Sequence, residues 1–136
     1  MVKVISDTSF LIHLATHRIK NIDSIETEIG TLSFIVPKIV KKELEHLAED
    51  PDKKIISQQT LDFIKNFKTN DIDGSNADDA ILGFIKENRS IVATMDKELK
   101  NKIKQSEVQF YLFIMIRLYL RTRKLYFKNN NSMNYV

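Results

Sequence analysis

Short apolar runs alternate with stretches of helical period along this chain, and that alternation predicts its elements. Val2-Lys3-Val4-Ile5 reads as a short buried strand, after which Asp7-Thr8-Ser9 opens a helical pattern through Leu11, Ile12, Leu14 and Ala15. Residues 17–31 are polar, with Ile22, Ile25 and Ile29 spaced as helix. Leu32-Ser33-Phe34-Ile35-Val36 predicts a second strand ended by Pro37, which also suits the first turn of a following helix. From Lys38 to Glu49, Ile39, Val40, Leu44 and Leu47 mark one helical face, and Pro51 stops it. Ile55, Ile56, Leu61, Phe63, Ile64 and Phe67 predict a helix over 54–68, and Asp73-Gly74 places a loop over 70–75. Ser75-Asn76-Ala77-Asp78 has the capping-box form ahead of Ile81, Leu82 and Ile85, a helical stripe running toward Asn88. Ser90-Ile91-Val92-Ala93-Thr94 is again of strand type, and Asp96 opens a last helical stretch through Leu99 and Ile103.

Strands that alternate with helices through short connections imply an α/β fold, a three-layer α/β/α arrangement with a mainly parallel central sheet. Val108 to Phe127 is long, aromatic and apolar, but Arg117, Arg121, Arg123 and Lys124 interrupt it too often for a membrane span, so one or two strands are expected there. Asn129 to Asn134 is a polar, low-complexity tail that is expected to fray. The division is therefore one domain over 1–128 and a tail over 129–136. A chain of 136 residues with 43% apolar content suits one domain with an ordinary core.

Composition changes this picture in three ways. The absence of cysteine excludes disulfides, thiolate metal sites and thiol nucleophiles, and it suits a reducing cytoplasm. Met1 to Asp7 lacks the long apolar region of a secretory signal, which points the same way. A net charge of +3 permits a nucleic-acid partner, and the basic residues crowd toward the end as Arg117, Arg121, Arg123, Lys124 and Lys128. With only three glycines and no Gly-Lys-Ser/Thr, a nucleoside triphosphatase loop is excluded. His13, His17 and His46 show no metal-ligand spacing among themselves.

The isolated acids carry the remaining chemistry. Asp7 and Asp96 each follow a strand and precede a helix, where an aspartate commonly caps free amides. Asp78 and Asp79 fall in a first helical turn, where negative charge complements the helix dipole. Taken singly, each has that ordinary explanation. Glu43 is different: Val40, Glu43, Leu44 and Leu47 follow i, i+3, i+4, i+7 spacing, which sets its carboxylate beside the apolar face. A carboxylate there needs a base, a proton or a cation. In a parallel sheet, ligands gather beyond the carboxyl ends of the strands, so these acids can share one crevice. Four carboxylates would repel one another, and hard oxygen donors without cysteine favour Mg2+ or Mn2+ in the middle.

At these residues the sequence resembles the PIN-domain family, whose pattern is an Asp after the first strand, an inner Glu, an Asp opening a later helix, and Thr-x-Asp. The corresponding residues here are Asp7-Thr8-Ser9, Glu43-Leu44, Ala77-Asp78-Asp79-Ala80-Ile81 and Ala93-Thr94-Met95-Asp96, continuing as Asp96-Lys97-Glu98-Leu99-Lys100, a form common among archaeal members. The ordered match runs from residue 2 to about residue 104. The resemblance implies a PIN-like nuclease domain over 1–128 that cleaves RNA with Mg2+ or Mn2+ and metal-activated water. It gives Asp7, Glu43, Asp78 and Asp96 as catalytic and metal-binding, with Asp79 as an alternative or additional third ligand and Ser9 and Thr94 as supports. Family members often dimerise. Two roles fit: a VapC-type toxin with a small antitoxin partner, or a ribosomal RNA-processing factor with ribosome-assembly partners, toward which the Asp-Asp pair and Asp-Lys-Glu-Leu lean. The alternative from another class is a non-catalytic RNA-binding or assembly module on the same fold.

Overall fold

The computed structural model describes residues 2–17, 30–88 and 90–105. The helix expected around Ile22, Ile25 and Ile29, the strands expected over 108–127, the basic cluster from Arg117 to Lys128 and the tail over 129–136 lie outside these residues.

The elements are β1 (Val2–Ser6), α1 (Thr8–Thr16), β2 (Leu32–Pro37), α2 (Lys38–Leu47), α3 (Lys54–Ile64), β3 (Lys68–Asn70), α4 (Ala77–Glu87), β4 (Ile91–Ala93) and α5 (Lys97–Gln105). Among the described residues all pairings are parallel, and the strand order is β3-β2-β1-β4. The parallel register sets Val4 beside Phe34 and Ile91, and Ile5 beside Ile35 and Val92. Successive strand residues face opposite sides of a sheet, so these two rows supply two cores. Val4 and Phe34 pack with Phe10 and Leu14 of α1, Phe10 and Phe34 having ring centroids 5.4 Å apart. Ile5, Ile35 and Val92 belong to the larger cluster with Ile81 and Ile85 of α4 and Leu99 and Ile103 of α5. Burial on both faces explains the consecutive apolar pair Val4-Ile5, while Lys3 at the start of the strand stays exposed. The architecture is the three-layer α/β/α sandwich expected from the sequence.

Pro37 closes β2 and caps α2 in one step: its φ of −60° suits both the strand end and the helix start, and it donates no amide. α2 then buries Ile39, Val40 and Leu44. Among the described residues, no helix is long and apolar enough to cross a membrane.

Three details differ from the sequence reading. The helix expected over 54–68 ends at Ile64, and Lys68–Asn70 pairs with Ile35–Pro37 as β3, where a loop was expected to begin. That strand is three residues long, at the sheet edge, with Lys68 and Thr69 exposed, so burial writes no apolar pattern into it. On α3 the inward positions are Ser57, Thr60 and Ile64, while Ile55, Ile56 and Phe63, which supported the helix in the sequence, are exposed. Thr60 satisfies its buried hydroxyl on the carbonyl of Ile56 at 2.8 Å. Finally, the capping box is one residue later than expected. Asn76, not Ser75, caps α4: its Oδ1 accepts from the Asp79 amide at 2.9 Å, and its Nδ2 donates to Asp79 Oδ2 at 3.0 Å.

Leu44 is fully buried, whereas Ile55 is 79% exposed. Leu44→Ala is expected to cost about 3 kcal/mol in denaturant unfolding, and Ile55→Ala less than about 0.5 kcal/mol.

Candidate metal centre

β1 and β4 are neighbours in the sheet, yet the chain leaves β1 toward β2 and arrives at β4 after visiting the far edge at β3. The winding therefore reverses between them, and a crevice opens beyond their carboxyl ends. Asp7 directly follows β1, and Thr94-Met95-Asp96 directly follows β4, so both strand ends deliver an aspartate to that crevice. The first turn of α4 supplies Asp78. One carboxylate oxygen from each of Asp7, Asp78 and Asp96 lies within 4.8 Å of the other two.

Asp7 stands at the N-cap position of α1, but its side chain makes no capping hydrogen bond to that helix. It is only 4% exposed and turns toward the strand end of β4. Its Oδ2 accepts from the Thr94 hydroxyl at 2.8 Å and from the Ser9 hydroxyl at 3.1 Å. Both hydroxyls are oriented by amides: Asp96 N–H donates to Thr94 Oγ1 at 3.0 Å, and Met95 N–H donates to Ser9 Oγ at 3.1 Å. A hydroxyl has one proton to give, and with its lone pairs engaged by amides that proton goes to Asp7. Ser9 and Thr94 both hydrogen-bond Asp7, and Thr94 links it to the backbone of Asp96.

Asp96 also caps α5, accepting from the Glu98 amide at 2.8 Å through Oδ1. A carboxylate has two oxygens, so capping and membership of the cluster are compatible. Asp79 is placed elsewhere. It is exposed, engaged with Asn76, and 3.7 Å from Lys102 Nζ through Oδ1. Of the adjacent pair, Asp78 is the one that reaches Asp7 and Asp96. Glu43 is beside the three rather than among them: Oε1 accepts from Thr8 Oγ1 at 2.8 Å, and Oε2 accepts from the Ala77 amide at 3.1 Å.

The electrostatics follow from this crowding. Burial pushes the Asp7 carboxyl up from 3.8, against the stabilising hydrogen bond from Thr94, and the charge of Glu43 adds to the rise. Asp78 is raised from 3.8 to about 6, first by burial and then by Asp7 and Asp96, with Lys102 acting in the opposite direction. Carboxylates that are costly to ionise together, presenting oxygen donors alone, are the donor set that a hard divalent cation relieves.

A family model described as a PIN-like domain matches residues 4–118. The chain belongs to the PIN-domain family. Ribonuclease VapC4 of Methanocaldococcus jannaschii is 38% identical to it over 114 residues, covering 79% of this chain and 87% of the relative. Among solved structures, the PIN domain endonuclease Utp24 superposes with a TM-score of 0.57 at 26% identity, covering 74% of this chain and 76% of that one. Two residues that touch this PIN domain's acids were not singled out in the sequence. Thr8 reaches Glu43 across 35 positions, and no spacing rule links such a pair. Lys102 is one of several lysines on an exposed helix, and only the packing of α5 against α4 brings it to Asp79 and Asp78.

The raised Asp78 carboxyl has a definite sign for stability. An acid whose folded value exceeds its unfolded value binds more protons when folded, so the folded state is penalised as pH rises between the two. The penalty is absent below about 3.8 and complete above about 6. Without divalent cations, Asp78→Asn is therefore expected to melt at a higher temperature than the parent above about pH 6 and at nearly the same temperature near pH 4, as read by thermal melts across that range.

Proposed function

We propose that this PIN domain is a divalent-metal-dependent endoribonuclease, with Asp7, Asp78 and Asp96 holding Mg2+ or Mn2+ and Glu43 contributing charge beside them. The observation that carries this reading is the convergence of the three aspartate oxygens within 4.8 Å at the reversal of the sheet. The similarity to a relative named as a ribonuclease and to a structure named as a PIN domain endonuclease supports the reaction class.

A divalent cation bound there supplies a water of lowered pKa and offsets the negative charge of a phosphodiester. The chain's own residues prepare that chemistry. Thr94 and Ser9 hold Asp7 in one orientation with their protons on Oδ2, which favours the ionised carboxylate and opposes part of the effect of its burial. Asp96 is fixed from both sides, its amide on Thr94 and its carboxylate on the start of α5. Asp78, its carboxyl raised to about 6, takes up a proton as the solution is made mildly acidic, and that proton competes with a bound cation.

RNA is the substrate in this reading. A second copy of the chain and either a small antitoxin or a ribosome-assembly factor, implied by the family resemblance, belong to the same proposal. Their presence is tested by size-exclusion with light scattering and by identification of proteins that co-purify stoichiometrically from the native source.

Incubation of single-stranded RNA with the purified protein is expected to give cleavage that a chelator abolishes and Mn2+ restores, with products bearing 5′-phosphate and 3′-hydroxyl. Asp96→Asn should slow cleavage by about two orders of magnitude or more at saturating Mn2+. Cleavage by Asp96→Asn at the parent rate would sink the reading. RNA binding indifferent to chelator, with no cleavage by any variant, would replace it with the non-catalytic module.

A further inference from the structure

Glu43 differs from the three aspartates in how its oxygens are used. Each already has a donor, and the donors come from two other helices: Thr8 in the first turn of α1, and the amide of Ala77, the first residue of α4. The carboxylate itself projects from α2. One side chain thus ties the starts of two helices to the middle of a third, and both of those starts adjoin the acids of the centre, since Asp7 precedes Thr8 and Asp78 follows Ala77. The three-aspartate group within 4.8 Å takes no oxygen from Glu43.

The α4 end of this tie has a specific use. The first amides of a helix have no intrahelical partner. At α4, Asn76 takes the Asp79 amide and Glu43 takes the Ala77 amide, so two separate acceptors pin the first turn. A negative charge there also complements the helix dipole. Asp78 lies between the two pinned residues, in a position where Asp7 and Asp96 repel it. Without the tie, that repulsion would drive the start of α4 away from the strand ends. At the other end, the Thr8 hydroxyl holds Glu43 at 2.8 Å and so keeps it over α4.

We propose that Glu43 is a strut rather than a direct metal ligand, and that Thr8 is the positioning residue that anchors it, so that the pair sets the distance of Asp78 from Asp7 and Asp96. The inference rests on the metal-centre reading for its consequence, but the strut itself is a property of the metal-free fold.

Glutamine at position 43 separates a strut from a ligand. Its amide oxygen accepts from Ala77 as before, and its nitrogen donates to the Thr8 oxygen, since a hydroxyl accepts as readily as it donates. A strut survives this exchange; a carboxylate ligand does not. Two measurements decide the matter on the full chain: amide hydrogen exchange at Ala77 without metal, and Mn2+ titration followed by the signal of the free ion. Glu43→Gln should leave Ala77 exchange at the parent rate and weaken Mn2+ binding by less than about 5-fold, through lost charge alone. Glu43→Ala and Thr8→Val should speed Ala77 exchange and weaken Mn2+ binding by about 10-fold or more, and Thr8→Ser should restore both.

If Glu43→Gln loses Mn2+ as completely as Glu43→Ala, Glu43 is a ligand and the strut is overturned. Thr8→Val matching the parent in both measurements overturns it too. Should Thr8→Val fail to fold, the near-isosteric Glu43→Gln carries the decision on its own. A parent protein that binds no Mn2+ defeats the metal reading, while Ala77 exchange still decides the strut.

Discussion

The hydrogen bond from the Thr94 hydroxyl to Asp7, 2.8 Å long and buried, joins the ends of two neighbouring strands that are 87 residues apart in sequence. Much of the centre depends on it. A buried carboxylate is costly to ionise, and an unpaired one would take up a proton. Thr94 offsets that cost, and because its oxygen also receives the Asp96 amide, the same atom sets the second aspartate relative to the first. Parallel pairing of β1 with β4 is what allows this, since only strands running the same way bring both carboxyl ends to one side. The sheet is therefore the device that makes carboxylates converge, and the hydroxyl network is what makes their convergence tolerable.

The convergence is still uphill. Asp78, carried by a helix rather than a strand end, has its carboxyl driven up to about 6 by burial and by Asp7 and Asp96. A fold that merely sought stability would place an amide or an apolar residue there. Local cost concentrated in a few groups, surrounded by an otherwise well-buried core, is the usual signature of a site kept for chemistry. The core around it is ordinary: Leu44, Ile81, Ile85, Leu99 and Ile103 are all fully or almost fully buried.

How much of this the sequence disclosed depends on what each feature is made of. β1, β2, β4 and the helices α1, α2, α4 and α5 follow from apolar spacing because burial on defined faces chose those residues. β3 could not be read, since three exposed or half-exposed polar residues owe their strand geometry to pairing with Ile35–Pro37 alone. α3 was found for a partly misleading reason, its exposed Ile55, Ile56 and Phe63 having the same spacing as a core stripe. Asp7 reads as a cap by position, and only the structure shows that its side chain makes no capping hydrogen bond and accepts from Thr94 and Ser9. The different surroundings of Asp78 and Asp79 could not be read because Ser75 and Asn76 are both good capping residues, and it is the cap at Asn76 that engages Asp79.

The wide spacing of the three aspartates has a consequence for synthesis. Asp7 emerges from the ribosome early, but β4 must be added to the sheet before Asp96 can meet it, and α5 must follow before Lys102 can stand against α4. Domains fold as units during translation, so an incomplete chain of this kind carries scattered acids and no centre. Whatever chemistry the finished molecule performs is thereby withheld until α5 has left the exit tunnel.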